Sequence, residues 1–428
     1  MVQKQIVSSE KTNKDENVYQ DEPKLRFPEF NDNWETLKLG DFLEFISTNS
    51  FSRAKLNLDD GKVKNIHYGD IHTKYPTIVD VEKEEIPFIN INEDTSKFKK
   101  EQFCKDGDLI IADASEDYAD IGKAIELINV NIDLVAGLHT ILARDKSNKT
   151  ATGFKGYLFL TDDLRKKIKI NANGISVLGI SKNNIANLDV RLPSKEEQEK
   201  ISSFLRAIDK KIELLEKKYK NSLNLKNSIF ENLLNRTYSF KNSSKNWEEI
   251  KLSSILKERK EFADKKSNYP HVTLSKEGIL PKTEEYNRDF LVKDENKKYK
   301  VTHLNDICYN PANLKFGVIT LNKFGSAIFS PIYVTFEVKN ANTEFVAYNL
   351  IRSNFINKIR KYEEGTVYER MAVKPSDFLK GNILLPPLEE QEKISHILNN
   401  LNKQLILIQK EQELITSFKK SLLQKMFI

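Results

Sequence analysis

The sequence predicts an α+β protein with two mixed α/β globules, each followed by a long helix. The two helices are predicted to pair as an antiparallel coiled coil within an internal pseudo-two-fold repeat. Residues 192–202 return as residues 385–395, and the offset of 193 holds along both following segments, which carry apolar residues at steps of three and four. Residues 33–39, which contain a tryptophan and which we call the tryptophan marker, return as residues 246–252. Duplication of this kind must be recognised before any fold is assigned.

The N-terminal residues 1–22 are polar and lack the apolar stretch of a signal peptide, so we expect a flexible tail and a cytoplasmic location. No apolar run approaches the roughly 18 residues of a membrane span. Charged residues make up 30% of the chain and the mean hydropathy is −0.53, which predicts a soluble protein. A net charge of +6 permits nucleic-acid binding but does not require it.

Residues 23–192 and 245–385 are predicted to form the two globules. Short apolar runs bounded by polar residues are typical of buried strands, and residues 108–112 and 332–336 are two of these runs. The material between the tryptophan marker and the long segment differs in length between the two halves, whereas the long segments keep a constant register. We therefore expect two rigid helices and two globules that differ in length and in local structure.

Residues 193–237 and 386–428 are predicted to form the two helices. Each begins after a proline-containing turn with acidic residues that complement the positive end of the helix dipole. A length of about 40 residues corresponds to about 60 Å. Lys226 and Lys419 interrupt both apolar seams at matching positions, and such an interruption fixes register at a cost in stability. The predicted coiled-coil core consists of Ile201, Leu205, Ile208, Ile212, Leu215, Ile229, Leu233, Ile394, Leu398, Leu401, Leu405, Ile408, Ile415 and Leu422.

The sequence contains no phosphate loop, no dinucleotide-binding glycine motif and no nucleophile elbow, so no catalytic residue is predicted. Cys104 and Cys308 lie in different halves, and the six histidines lack ligand spacing, so we predict neither a disulfide framework nor a metal site. Residues 310–313 superficially resemble the motif with which amino-methyltransferases hold a flipped base. They lack its second proline and its aromatic residue, and we interpret them as a turn.

The loops of both globules are crowded with basic, amide, hydroxyl and tyrosine side chains, which are the types that read base edges and contact phosphates. An ordinary polar surface has the same composition, and it stays the alternative for each single residue. The predicted DNA-contacting residues are Ser52, Arg53, Lys55, His67, Tyr68, Lys74, Tyr75, Ser115, Tyr118, Arg259, Lys260, Ser275, Asn310, Asn313, Lys315, Tyr368 and Arg370.

Both predicted helices open with the pattern Leu-Pro-x-x-Glu-Glu-Gln-Glu-Lys-Ile, at Leu192 and at Leu385. A characteristic lead-in, residues 23–30, precedes Trp34, and residues 421–427 close the second helix. With the order globule–helix–globule–helix, these features make the chain similar, over nearly its whole length, to the DNA-specificity subunit of type I restriction–modification enzymes. The doubled helix opening is the specific part of the resemblance, and the globules are similar only in general character.

The resemblance implies that each globule is a target-recognition domain for one half of a bipartite, asymmetric site in double-stranded DNA. The paired helices would set the gap between the half-sites and bind two copies of the modification (methyltransferase) subunit, which modifies adenine N6. Restriction and translocation would belong to further subunits. S-adenosylmethionine, ATP and magnesium are expected on these partner subunits, with no cofactor, metal or active site in this chain.

Two other interpretations stay open from the residues alone. In the first, the chain is a coiled-coil scaffold whose globules bind proteins. In the second, it is one enzyme that both recognises and modifies DNA. Binding to DNA weakens steeply as salt rises, whereas binding by a protein scaffold does not, so the salt dependence separates the first interpretation from DNA recognition. The second requires a cofactor loop, which the sequence does not contain.

Overall fold

Both globules are built mainly of short strands, as expected where β-branched and aromatic residues form short apolar runs. The structure is a computed structural model, and it describes residues 22–240, 247–282, 298–364 and 371–428. The tail predicted for residues 1–22 therefore lies almost wholly outside the described residues.

The chain forms two compact units. Unit 1 lies within Met1–Lys217 and Lys410–Ile428, and unit 2 lies within Lys218–Gln409. Each unit combines one globule with part of both long helices, so the units group the chain differently from the predicted domain boundaries. This grouping follows from packing, because the apolar stripe of a helix is buried by whichever elements lie beside it.

Unit 1 contains a five-stranded sheet and a four-stranded sheet. Its strands are β1 (Glu35–Lys38), β2 (Leu43–Ile46), β3 (Leu56–Asn57), β4 (Lys64–Ile66), β5 (Ile78–Asp80), β6 (Phe88–Ile89), β7 (Leu109–Ala112), β8 (Ala114–Ser115), β9 (Ala124–Ile128), β10 (Leu134–Ala136), β11 (Thr140–Asp145), β12 (Leu178–Gly179) and β13 (Asp189–Leu192). The larger sheet has the order β2-β11-β7-β9-β5, and the smaller has the order β10-β4-β6-β3. Strands β7 and β9 are buried along their whole length, and together with β11 they form the centre of the larger sheet.

Short helices cover the sheets of unit 1. They are α1 (Leu39–Phe42), α2 (Tyr68–Thr73), α3 (Phe154–Leu158), α4 (Asp162–Asn171) and α5 (Lys182–Ala186), and the long helix α6 (Lys195–Leu234) begins beside them. The main core of the unit collects the buried faces of α3 and α4, the first turns of α6 and, from the end of the chain, Leu422, Met426 and Phe427.

Unit 2 repeats this construction, with fewer strands in the part of it that the structure describes. They are β14 (Glu248–Lys251), β15 (Leu256–Glu258), β16 (Phe262–Asp264), β17 (Val272–Leu274), β18 (Ile279–Pro281), β19 (Lys298–Thr302), β20 (Ile307–Tyr309), β21 (Ile319–Leu321), β22 (Ala327–Phe329), β23 (Val334–Val338) and β24 (Asn382–Leu385). Its helices are α7 (Leu252–Ile255), α8 (Thr343–Leu350), α9 (Ser353–Ile359), α10 (Pro375–Phe378) and the long α11 (Leu388–Lys425), which ends in unit 1. The sheets have the orders β15-β23-β20-β21 and β16-β19-β22.

The same frame precedes both long helices. The strand that follows the tryptophan marker pairs antiparallel with the strand that leads into the long helix, as β1 with β13 and as β14 with β24. A four-residue helix then connects that frame to an edge of the main sheet, through β2 or β15. The internal repeat predicted from the sequence is therefore present in the fold.

The two long helices run antiparallel. In unit 1, Lys419 Nζ lies 2.5 Å from Asp209 Oδ1, and Gln412 Nε2 donates to Glu216 Oε1 at 3.1 Å. In these contacting pairs the residue number rises along α6 and falls along α11, as it must in antiparallel helices. In unit 2, the last turns of α6 and the first turns of α11 share one apolar cluster with Phe345 of α8.

The residues of the predicted coiled-coil core face inward to different degrees. Those that are buried are Ile201, Leu205, Ile208, Leu215, Leu233, Ile394, Leu398, Leu405, Ile408 and Leu422. Those that are partly buried are Ile212, Ile229, Leu401 and Ile415. None of the helices in the described ranges combines the length and the apolar character needed to cross a membrane.

A glutamine at the start of each long helix fastens the helix to its globule. Gln198 Oε1 accepts from the backbone N–H of Ala151 at 3.0 Å, and Gln391 Oε1 accepts from that of Asn342 at 2.8 Å. Each amide also donates to the carbonyl of the proline five residues before it, at 3.0 and 2.7 Å. The glutamine of the repeated helix opening is thus required by buried backbone groups that would otherwise lack a partner.

A tyrosine of α3 or α8 contacts the long helices in each unit. In unit 1, Tyr157 Oη donates to Asp209 Oδ2 at 2.7 Å, and Lys419 Nζ lies 5.4 Å from the tyrosine ring centroid; we call these residues the Tyr157 cluster. In unit 2, Tyr348 Oη donates to Asn399 Oδ1 at 2.7 Å and accepts from Asn402 Nδ2 at 2.9 Å, forming the Tyr348 cluster.

Candidate nucleic-acid interface

A surface patch in unit 1 brings together several predicted DNA-contacting residues. The single-turn 3-10 helix Arg53–Lys55 lies next to α2, and Arg53 Nη2 donates to Asp70 Oδ1 at 2.7 Å. The Arg53 side chain is 53% exposed, whereas that of Asp70 is 10% exposed. Asp70 Oδ2 is buried and has no hydrogen-bond partner among the described residues. A buried carboxylate therefore directs a half-exposed guanidinium group.

His67 caps the N-terminus of α2. Its Nδ1 accepts a hydrogen bond from the backbone N–H of Gly69 at 3.1 Å, so the proton of the neutral ring lies on Nε2. Burial lowers the pKa of His67, and the positive charge of Arg53 lowers this pKa further. The imidazole is therefore neutral near pH 7.

Aromatic and imidazole rings extend the patch. The Tyr68 ring centroid lies 4.6 Å from that of His67, 6.0 Å from that of His72 and 5.3 Å from that of His139. His139 has a φ of 53°, which is uncommon for a residue other than glycine. Its Nδ1 lies 3.4 Å from Asp113 Oδ1. Burial raises the pKa of the Asp113 carboxyl above its ordinary value, and the nearby imidazole of His139 offsets only part of this rise.

His139 was not among the residues predicted from the sequence. It directly precedes the buried strand β11 and its neighbours in the sequence are mostly apolar, so it does not belong to a polar loop. Its positive φ is at most a weak signal in the sequence, because only a few per cent of residues other than glycine adopt this conformation.

Other predicted residues of unit 1 lie at the surface. Ser52, Lys55 and Lys74 are exposed. Lys55 Nζ lies 2.9 Å from Glu93 Oε2, and Lys74 Nζ donates to the backbone carbonyl of Glu85. Exposed ion pairs of this kind are weak and are readily exchanged for phosphate contacts.

Three further predicted residues of unit 1 differ in exposure. Tyr75 and Ser115 are buried, and burial raises the pKa of Tyr75. Ser115 Oγ donates to a backbone carbonyl two residues later at 2.9 Å, which places it in a turn. Tyr118 is 54% exposed, with Lys169 Nζ 5.6 Å from its ring centroid. Of the three, Tyr118 is the side chain that the structure presents to solvent.

In unit 2, Arg259 has an internal partner. Its Nε and Nη2 both donate to the Asp306 carboxylate at 2.9 Å, and the two side chains are 24% and 2% exposed. The Asp306 carboxylate raises the pKa of Arg259. Lys260 is exposed, with Nζ 3.8 Å from Glu258 Oε2. Ser275 Oγ donates to the carbonyl three residues later at 3.3 Å, within a turn.

Residues 310–313 form a turn, as predicted from the sequence. Asn310 is buried, and its Oδ1 accepts from the backbone N–H groups of Ala312 at 3.1 Å and Asn313 at 3.3 Å, an arrangement typical of an Asx turn. Lys315 is exposed, and its Nζ lies 5.1 Å from the ring centroid of the exposed Phe316. The turn therefore presents a cation and an aromatic ring to solvent.

Tyr368 and Arg370, also predicted to contact DNA, lie outside the described residues. In the parts of the chain that the structure describes, no group of three or more histidine, cysteine, aspartate or glutamate side chains is placed to bind a metal ion. Cys104 and Cys308 are free and buried, and burial raises the pKa of both thiols. They pack as small apolar residues.

Comparison with known proteins identifies the fold and the family. Residues 31–225 and 244–417 match the model of the type I restriction modification DNA specificity domain. The S subunit of the type I restriction-modification system from M. genitalium is similar over 95% of this chain and 99% of that chain, with 13% identity and a TM-score of 0.58. A chain from a solved structure that concerns complex assembly and conformational transition of the type I R-M system is also similar. The similarity covers 92% of the present chain and 97% of the solved one, with 12% identity and a TM-score of 0.50.

At these identities the solved structures show the likeness of the fold alone. Among curated proteins, no sequence matches the chain significantly. The family model matches well over half of the chain, in two separate stretches that correspond to the two halves of the internal repeat. The chain therefore belongs to the family of type I restriction–modification DNA specificity proteins, and it carries two copies of the family domain.

Proposed function

We propose that this chain is the subunit that gives a type I restriction–modification complex its DNA sequence specificity. Each globule binds one half of a bipartite, asymmetric site in double-stranded DNA. The antiparallel helices set the distance between the half-sites and bind two copies of the modification subunit. The chain acts in the cytoplasm and carries no catalytic role.

The observation that carries this proposal is a repeated frame with different surfaces. Both units have the same strand pair before a long helix and the same glutamine fastening. The surfaces above these frames differ: unit 1 presents a half-exposed arginine beside a group of imidazole and tyrosine rings, and unit 2 presents Lys315 and Phe316 on a turn. A repeated frame with two different surfaces is what recognition of two different half-sites requires.

Partner subunits supply the chemistry in this proposal. Methyltransferase subunits use S-adenosylmethionine to modify adenine N6, and restriction subunits use ATP and magnesium for translocation and cleavage. Family membership as a DNA specificity protein supports this division of labour.

Methylome sequencing of a host that carries the chain with its methyltransferase partner tests the proposal. A bipartite adenine motif should appear when both proteins are present and disappear when either is omitted. Replacing residues 245–385 with the corresponding segment of another family member should change one half of the motif and leave the other half unchanged. Binding measured at rising salt should weaken steeply. An assembled complex that produces no motif, or a replacement that changes both halves, would contradict the proposal.

A further inference from the structure

Three arginine–carboxylate pairs with a nearly fully buried carboxylate share one geometry. Arg26 with Glu197, Arg144 with Asp108 and Arg259 with Asp306 are pairs in which Nε and Nη2 both donate to one carboxylate. Their arginine side chains are 13%, 15% and 24% exposed. In each of these pairs the guanidinium edge is used internally, so these arginines stabilise the fold.

Arg53 belongs to a different kind. It gives Asp70 a single hydrogen bond, at 2.7 Å through Nη2, and its side chain is 53% exposed. Within the described residues, its Nε and Nη1 have no hydrogen-bond partner, and neither has the buried Asp70 Oδ2. Asp70 therefore fixes the direction of the guanidinium without using up its donors.

The charges around Arg53 favour a base edge over a phosphate. The Asp70 carboxylate offsets the positive charge of Arg53 and would repel a phosphate brought beside it, and the neighbouring His67 is neutral. A phosphate contact depends on net positive charge, whereas a base contact depends on donors that point in a fixed direction.

The donor pattern selects one base. An arginine offers donors only, so it matches a base edge that presents two adjacent acceptors. In the major groove, guanine presents O6 and N7 as two acceptors, whereas adenine, cytosine and thymine each present at most one acceptor next to a donor or a methyl group.

We propose that Arg53 is a specificity-determining residue that reads a guanine in the half-site bound by unit 1, and that Asp70 is its positioning residue. This inference rests on the proposed function. It assigns one chemical requirement, a guanine with its N7 and O6 free in the major groove, to one named side chain.

The test uses the complex of the full chain with its methyltransferase partner and the DNA motif obtained from the methylome. Duplexes in which each guanine of the site is replaced in turn by 7-deazaguanine lose one N7 acceptor at a time. For the wild-type complex, one such duplex should bind about tenfold more weakly. Arg53→Ala should bind that duplex and the unmodified duplex equally, while its response to the other replacements stays that of the wild type.

Two further variants separate a base contact from a phosphate contact and from damage to the fold. Arg53→Lys keeps the charge but loses the planar fork, so it should lose the discrimination at that guanine. Asp70→Asn should weaken discrimination at the same guanine without lowering affinity for the duplex that carries 7-deazaguanine there. Structural damage would lower both affinities. Lys55→Ala, two residues away and also exposed, is the matched control for a phosphate contact: it should weaken binding to every duplex alike and leave the discrimination at that guanine unchanged.

The inference is overturned if Arg53→Ala keeps the wild-type response to every 7-deazaguanine duplex, if Arg53→Lys discriminates as the wild type does, or if the half-site contains no guanine. Failure of the proposed function is distinguishable, because the wild-type complex would then produce no bipartite motif at all. That result would remove this inference with it.

Discussion

The Tyr157 cluster of unit 1 and the Tyr348 cluster of unit 2 occupy corresponding places in the repeat, yet the tyrosine hydroxyl has charged partners in the first and amide partners in the second. The offset of 193 residues relates Asp209 to Asn402 and Lys226 to Lys419. In unit 1 an aspartate accepts from the tyrosine and pairs with the lysine of the opposite helix. In unit 2 an asparagine takes the place of the aspartate.

The repeat assigns to Asn402 the place of an acidic partner for Lys226. Lys226 is partly buried, it forms no ion pair with any residue that the structure describes, and burial lowers its pKa. Burial also raises the pKa of Tyr348, to about 12. Two long helices with a lysine at matching positions can therefore differ in how well this polar interruption is compensated, and unit 2 carries the less well compensated lysine.

The largest expected effect concerns what the two units share. Leu205 and Leu398 are matching core positions and are both 0% exposed. Leu205→Ala and Leu398→Ala should each lower the free energy of unfolding by about 2–5 kcal/mol, through lost transfer energy and the cavity left behind. Hydrogen exchange measured by mass spectrometry should place the loss of protection in unit 1 for the first variant and in unit 2 for the second.

Leu407→Ala is a suitable control for this pair, because Leu407 is 65% exposed and should change stability little. If either core variant loosened both units equally, the division into two separately packed units would be wrong.

The next effect should differ in sign between the units. Lys419→Met leaves Asp209 beside Tyr157 without its cation, and it should lower the free energy of unfolding by about 1–2 kcal/mol. Lys226→Met removes a partly buried ammonium group that lacks an acidic partner among the described residues, and it should raise the free energy of unfolding by up to about 1 kcal/mol. Urea denaturation of the two variants measures both. Equal effects of the same sign would show that the two lysines are equally well compensated.

The smallest effect is a dependence on pH. Because burial lowers the pKa of Lys226 in the folded chain, the unfolded chain binds more protons between that lowered pKa and the ordinary value of about 10.4. Stability of the wild type should therefore rise with pH in this window, and the advantage of Lys226→Met should shrink from pH 7 to about pH 10. The raised tyrosine pKa values act in both proteins and cancel in the difference.

The variant Asn402→Asp tests whether the missing carboxylate causes this pH dependence of stability. A carboxylate at this position would reproduce the charge of Asp209 and raise the pKa of Lys226, so the slope between pH 7 and about pH 10 should flatten. A slope that persists in this variant would show that the repeat does not place the two side chains together.

The long helices could be predicted from the sequence because a heptad pattern is a local signal that persists over many turns. The short buried strands could also be predicted, because a short apolar run bounded by polar residues, such as residues 108–112, is likewise a local signal. The role of the repeated glutamine could not be predicted, because its partners are backbone groups on the globule, 47 or 49 residues away in the chain.

The candidate interface shows the same limit. Arg53 and Arg259 are equally plausible DNA contacts by composition, yet Arg259 donates twice to Asp306, 47 residues along the chain, whereas Arg53 keeps free donors. Composition identifies which side chains are able to contact DNA. Only the tertiary partners decide which of them are still available, and His139 shows that a backbone conformation can bring in a residue that composition overlooks.

Unit 1 is assembled from two stretches of chain that lie far apart in the sequence, and this has a consequence for the order of events during synthesis. Leu422, Met426 and Phe427 pack into the core of a globule whose other residues leave the ribosome some 200 residues earlier. Unit 2 is a continuous segment and can complete its packing as it emerges. The globule translated first must therefore wait, with part of its core exposed, for the final turns of α11, and during that interval it is the part of the nascent chain most in need of a chaperone.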